Sequence, residues 1–170
     1  MLFKRRHARP AAAPAGDLGA SVTAVVLVED PAPEAPVDDA RRRLRRIAAE
    51  AVIRQDEAEE LLAQVRDRLP LAELAPRGGT LVSRFVALGQ ALPATTDPLL
   101  RRHAEVLRTV FEHHAMMVSS SLDMLAVDWR SERIVEQLER IDGLGAPAQW
   151  LEAVRADLEA AYTQPADEPA

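Results

Sequence analysis

The chain has 170 residues and a mass of 18.6 kDa, enough for one domain with a sizeable core and too short for two ordinary ones. The hydrophobic fraction of 48% is globular, but aromatics at 4% leave Leu, Val, Ile and Ala to build the core, a composition that favours closely packed helices. Cysteine is absent, which excludes disulfides, thiolate metal sites, iron–sulfur clusters and a cysteine nucleophile; the net charge of −6 argues against broad electrostatic binding to nucleic acid or anionic membranes.

Residues 1–37 alternate basic, Ala/Pro-rich and acidic pieces, and such stretches bury too little apolar surface to order themselves. A disordered tail is expected there. Its start, MLFKRRHARP, has the charge of a signal-peptide n-region, but Pro14, Gly16 and Asp17 interrupt the apolar core that an export signal needs. Within the tail, SVTAVVLV at 21–28 is β-branched and far below the roughly 20 apolar residues of a membrane span. It reads as a strand that docks on a partner's sheet edge or as a loosely packed stub. Of the 21 basic residues Lys4 alone is lysine, a bias that points to high-GC coding and a bacterial source.

From Asp38 the pattern becomes helical and runs to a stop at Pro70. Leu44, Ala48, Ala51, Gln55, Ala58, Leu62, Val65 and Leu69 alternate four and three apart, a coiled-coil-like seam with one polar position. The acid-before-base spacings Asp38–Arg42, Asp39–Arg43 and Glu50–Arg54 support its exposed face. LAELAPRGG reads as a connection ending in a glycine pair, and TLVSRFVALGQALP as a short helix halted by Pro93. Asp97 then offers an N-cap with Pro98 at the first helical position. The long helix it starts, 97–127, has the seam Leu100, Ala104, Leu107, Phe111, His114, Val118, Ser121 and Leu125. A shorter helix follows through Ile134, Val135, Leu138 and Ile141, with Gly143 as its stop, and a last helix carries Leu151, Val154, Leu158 and Tyr162 on one face. Residues 164–170 form an acidic tail. The expected fold is therefore all-α: a bundle of about five helices over 38–163, dominated by two long coiled-coil-like helices packed antiparallel.

Three of the four histidines fall within RRHAEVLRTVFEHHAMM, 101–117. His103 and His114 share a face about 16 Å apart, while His113 and His114 diverge by about 100°, so no two of them chelate one ion. No Glu has a His three positions on, which removes the di-iron carboxylate pattern. His103, His114 and Met117 are the candidates for axial haem ligation. The bland alternative, which the reading favours, makes His114 a core-edge histidine bonded to Gln55, Ser121 or a backbone carbonyl. Burial should then lower its pKa and make His114→Leu nearly neutral or stabilising, while His113 falls on the outer face. His-Ala-Glu-Val-Leu-Arg-Thr at 103–109 resembles the His-Glu-Leu-Arg-Thr-Pro box of histidine-kinase dimerisation helices, which implies a phosphoryl-accepting role for His103. Glu105 is displaced from beside the histidine, Val110 stands in place of the proline, and no ATP-binding glycine boxes follow.

There is no G-x-S-x-G elbow, the glycine pair at 78–79 lacks the lysine of a phosphate loop, and the acids at 56, 57, 59 and 60 lack an oxygen-rich loop. No metal or cofactor is expected. RRRLRR at 41–46 is the most concentrated charge, and Arg41, Arg42 and Arg45 with Arg101 and Arg102 form a candidate basic docking patch. Aromatics for base stacking are missing around it, and acids at 38, 39 and 50 neutralise part of its field. The expected function is non-enzymatic: a cytoplasmic adaptor, regulator or assembly subunit acting by protein–protein contact, docking through 21–28 or Arg41–Arg46, with a homodimer favoured by the thin core. Two alternatives stand beside it, phosphotransfer through His103 and nucleic-acid binding through Arg41–Arg46.

Overall fold

Pro36 has an extended backbone, φ −50° and ψ 143°, and from the next residue the chain is helical. The structure, a computed structural model, describes residues 36–127 and 131–163; the tail, the 21–28 segment and the acidic C-terminal residues lie outside that range. Five helices make up the described chain: α1 (Val37–Arg66), α2 (Leu71–Gln90), α3 (Pro98–Ala126), α4 (Glu132–Glu139) and α5 (Ala146–Thr163). None of them is long and apolar enough to cross a membrane.

Helix α1 stops before Pro70 because Arg68 takes a left-handed conformation, φ 60°. The N–H of Leu69 then bonds the Gln64 carbonyl and that of Arg68 the Val65 carbonyl, the Schellman pattern with arginine in the usual glycine position. Helix α2 corrects the sequence expectation: it begins at Leu71 and runs through Pro76 and both glycines. Proline as the sixth helical residue forfeits a single hydrogen bond, to Ala72. Gly78 has a packing reason, since a Cβ there would collide with Leu122 Cδ1 of α3. At the start of α3 the Asp97 carboxylate accepts from the Leu100 N–H at 2.9 Å, with Pro98 at the first turn, as the sequence leads one to expect. Gly143 and Gly145, both with φ near 66°, turn the chain between α4 and α5.

Helices α1 and α3 touch each other, and both touch α2 and α5; α2 and α5 do not meet. The arrangement is two three-helix units sharing the α1–α3 pair, with α4 closing against both shared helices. Arg77 of α2 reaches back to Glu60 and Gln64 of α1, and Phe85 packs on Phe111 while Gly78 meets Leu122, so α2 is antiparallel to both neighbours. It follows that α1 and α3 run parallel, with Gln55 beside His114 midway and Leu69 beside Leu125 at one end. The expected antiparallel packing of the two long helices is thus wrong: α2 occupies the antiparallel place, and two short connections return the chain to its first direction. Every seam position on α3 is buried, and every one on α1 except the half-buried Leu69. Ala40, Ile47, Leu61, His103 and Val110 are buried as well, giving stripes wider than a two-stranded seam, because each shared helix packs against all four others.

Candidate functional site

Three places in this bundle carry chemistry beyond packing. The first is inside it. His114 is fully buried; its Nδ1 lies 2.7 Å from the Val110 carbonyl and its Nε2 3.2 Å from Gln55 Oε1, with the Phe85 ring centroid 5.2 Å away. A carbonyl can only accept, so Nδ1–H donates to Val110. In the neutral ring Nε2 is then the acceptor, and Gln55 meets it by turning its amide N–H toward the ring. Desolvation lowers the His114 pKa below 6.5, outweighing the Val110 hydrogen bond, and the neighbouring His113 lowers it further. The polar position of each seam is therefore the other's partner, and both ring nitrogens of His114 are used within the core.

The second place is a groove of about 570 Å³ between α3 and α5. Leu99, Val106, Trp150 and Val154 supply apolar walls, and Arg102, Glu105 and Asp157 the charged rim. Leu99 and Trp150 stand 57% and 48% exposed, so two large apolar side chains border it in water. His103 lines the same groove but is buried, with Nε2 3.5 Å from the Asp157 carboxylate and Nδ1 without a partner. The histidine of the 103–109 box thus sits in the wall of the groove. The sequence reading missed this feature. Its signal was present: Leu99 and Val106 are seven apart, off the α3 seam, on a face otherwise polar.

The third place is the end of the bundle where α1 and α3 begin. Arg42 and Arg101 each lie thirteen residues before the paired Gln55 and His114, and parallel helices of equal rise bring them to one level. Arg41, Arg42, Arg45, Arg101 and Arg102 therefore share one end, which antiparallel packing would have divided. The positive ends of two helix dipoles add to it. Arg42 pairs with Asp39, Asp97 is committed to its cap, and α5 brings Asp157 to the same end, so the basic character is moderated. Elsewhere Arg54 pairs with Glu57 at 2.7 Å, one helical turn forward, where the sequence spacing pointed to Glu50. Among the described residues no cluster of three metal-ligating side chains occurs. The chain matches no known protein family, no curated protein and no solved structure.

Proposed function

We propose that this is a docking protein without catalytic activity, an adaptor, regulator or assembly subunit of a bacterial cytoplasm, which binds an acidic surface of a partner protein through the end bearing Arg41, Arg42, Arg45, Arg101 and Arg102. The observation that carries the reading is the parallel course of α1 and α3, which gathers two arginine clusters and two helix N-termini at one end. Charge complementarity of this kind governs encounter rate and partner choice more than final affinity. The test is recovery of partners from the native cell with the wild-type chain and with Arg42→Glu/Arg101→Glu. Loss of a partner while the helical spectrum and thermal unfolding are unchanged supports the docking end; retention of every partner overturns it. Binding of DNA or RNA to the same end, weakening steeply with salt, would replace the protein partner by a nucleic acid.

A second reading, phosphotransfer, has one observation in its favour: His103 lines an open groove with a carboxylate beside its Nε2. Acid-labile phosphate on the wild-type chain that is missing from His103→Gln would establish it.

A further inference from the structure

The outer face of α3, turned away from α1, carries an alternating row of charge: Arg102, Glu105, Arg108 and Glu112. All four are exposed, and none has an ion-pair partner within the chain among the described residues. Exposed apolar side chains flank the row, Leu99 at 57% on one side and Met116 at 54% on the other. The half-buried Val106 lies between them. The order of signs has a geometric consequence. If a second α3 lies alongside in the same direction, each charge meets its own kind. Run in the opposite direction, Arg102 meets Glu112, Glu105 meets Arg108 and Leu99 meets Met116, and the midpoints of all three pairs fall within one residue of Leu107. One two-fold axis therefore satisfies the charged and the apolar pairs together, which is the requirement of an isologous interface.

The groove beside this face fits the same axis. Asp157 of α5 pairs with His103, while Gly143, just before α5, lies beside Glu59 near the other end of α1, so α5 runs antiparallel to α3; two turns before Asp157, Trp150 stands near the level of Thr109, close to the midpoint. Half-exposed tryptophan at the centre of a face with a charged rim is the usual anatomy of a protein interface. We propose that a second copy of this chain covers the outer face of α3 and the α3/α5 groove in an antiparallel contact centred at the level of Leu107, with Arg102 against the second copy's Glu112 and Glu105 against its Arg108. The dimer commits Arg102 to its own contact and points its two basic ends, each with Arg41, Arg42, Arg45 and Arg101, in opposite directions, so two docking sites are held on one particle. The interface itself does not depend on the docking role.

The experiment is sedimentation equilibrium on the full-length chain over a range of concentrations. The wild type is expected to approach twice 18.6 kDa. Glu105→Arg and Arg108→Glu each turn two symmetry-related attractions into two repulsions, and each alone is expected to weaken association at least about tenfold. An equimolar mixture of the two variants is expected to dimerise again, because every arginine then faces a glutamate. The doubly exchanged chain, Glu105→Arg/Arg108→Glu, should dimerise by itself. Both positions are exposed and outside the basic docking end, so helical content and thermal unfolding of the monomers should not change. A concentration-independent mass of 18.6 kDa for the wild type overturns the proposal. So does a dimer indifferent to both single reversals, or a mixture that stays monomeric.

Discussion

Replacing His114 by leucine leaves Gln55 facing an apolar side chain inside the core. Gln55 is 6% exposed and its one cross-helix partner is the imidazole, so its amide loses a hydrogen bond that water cannot replace. The Val110 carbonyl still accepts its own helical N–H and adds little. The cost of one orphaned buried amide is about 1–3 kcal/mol, and Gln55→Leu should cost a similar amount by stranding Nε2. This differs from the near-neutral substitution expected from the sequence, where Gln55 was one of three possible partners. Removing both groups, in Gln55→Leu/His114→Leu, should be nearly neutral or stabilising, so the double-mutant cycle should show a coupling of about 1–3 kcal/mol. Urea unfolding followed by helical circular dichroism at pH 7.5 measures all four chains. The pH dependence gives an independent check. The His114 pKa is lowered in the folded state relative to 6.5, so below 6.5 the unfolded chain binds more protons than the folded one. The stability held by the neutral ring is complete above that pH and is lost as pH falls from 6.5 toward the lower folded value. Wild type minus double variant should show this slope. Additive single effects, or an identical slope in both chains, would falsify the assignment of the two residues as partners.

The remaining expectations concern the backbone. Arg68→Gly should stabilise the chain by about 1 kcal/mol, since glycine removes the left-handed strain at φ 60° and the exposed 3.6 Å ion pair with Glu139 contributes little; a destabilised variant would contradict the cap geometry. Gly79 is exposed with nothing within 4 Å of a new Cβ, so Gly79→Ala should raise stability by about 0.5–1 kcal/mol in a melt. Gly78→Ala should forfeit that gain, because Leu122 must move; equal melting points for the two variants would show that α2 and α3 do not approach as closely as described. Asp97→Ala removes the acceptor of the Leu100 N–H and should cost about 1 kcal/mol, recoverable with Asp97→Ser.

Much of the helical architecture follows from local chemistry. The apolar stripes of α1 and α3 and the Asp97 cap depend on side-chain spacing and backbone preference within a few residues, and each appears as the sequence implies; α4 instead ends at Glu139, short of Ile141 and of the expected stop at Gly143, whose left-handed backbone belongs to the turn into α5. The start of α2 does not, because Pro76 and the Gly78–Gly79 pair carry strong local breaking preferences. Packing overrides them: one proline early in a helix costs one hydrogen bond, and Gly78 is what lets α2 lie close to Leu122. Gln55 and His114 could each be recognised as polar interruptions of a seam, but nothing local says that they meet. That depends on α1 and α3 running parallel, a choice made by where α2 lies after two reversals of the chain. The same choice places the arginines of two distant segments at one end, and α5 beside α3 turns Leu99, Val106 and Trp150 into the walls of one groove. Periodicity specifies which face of a helix is apolar. The direction and level at which two such faces meet belong to the long-range contacts, and those are settled by the assembled core.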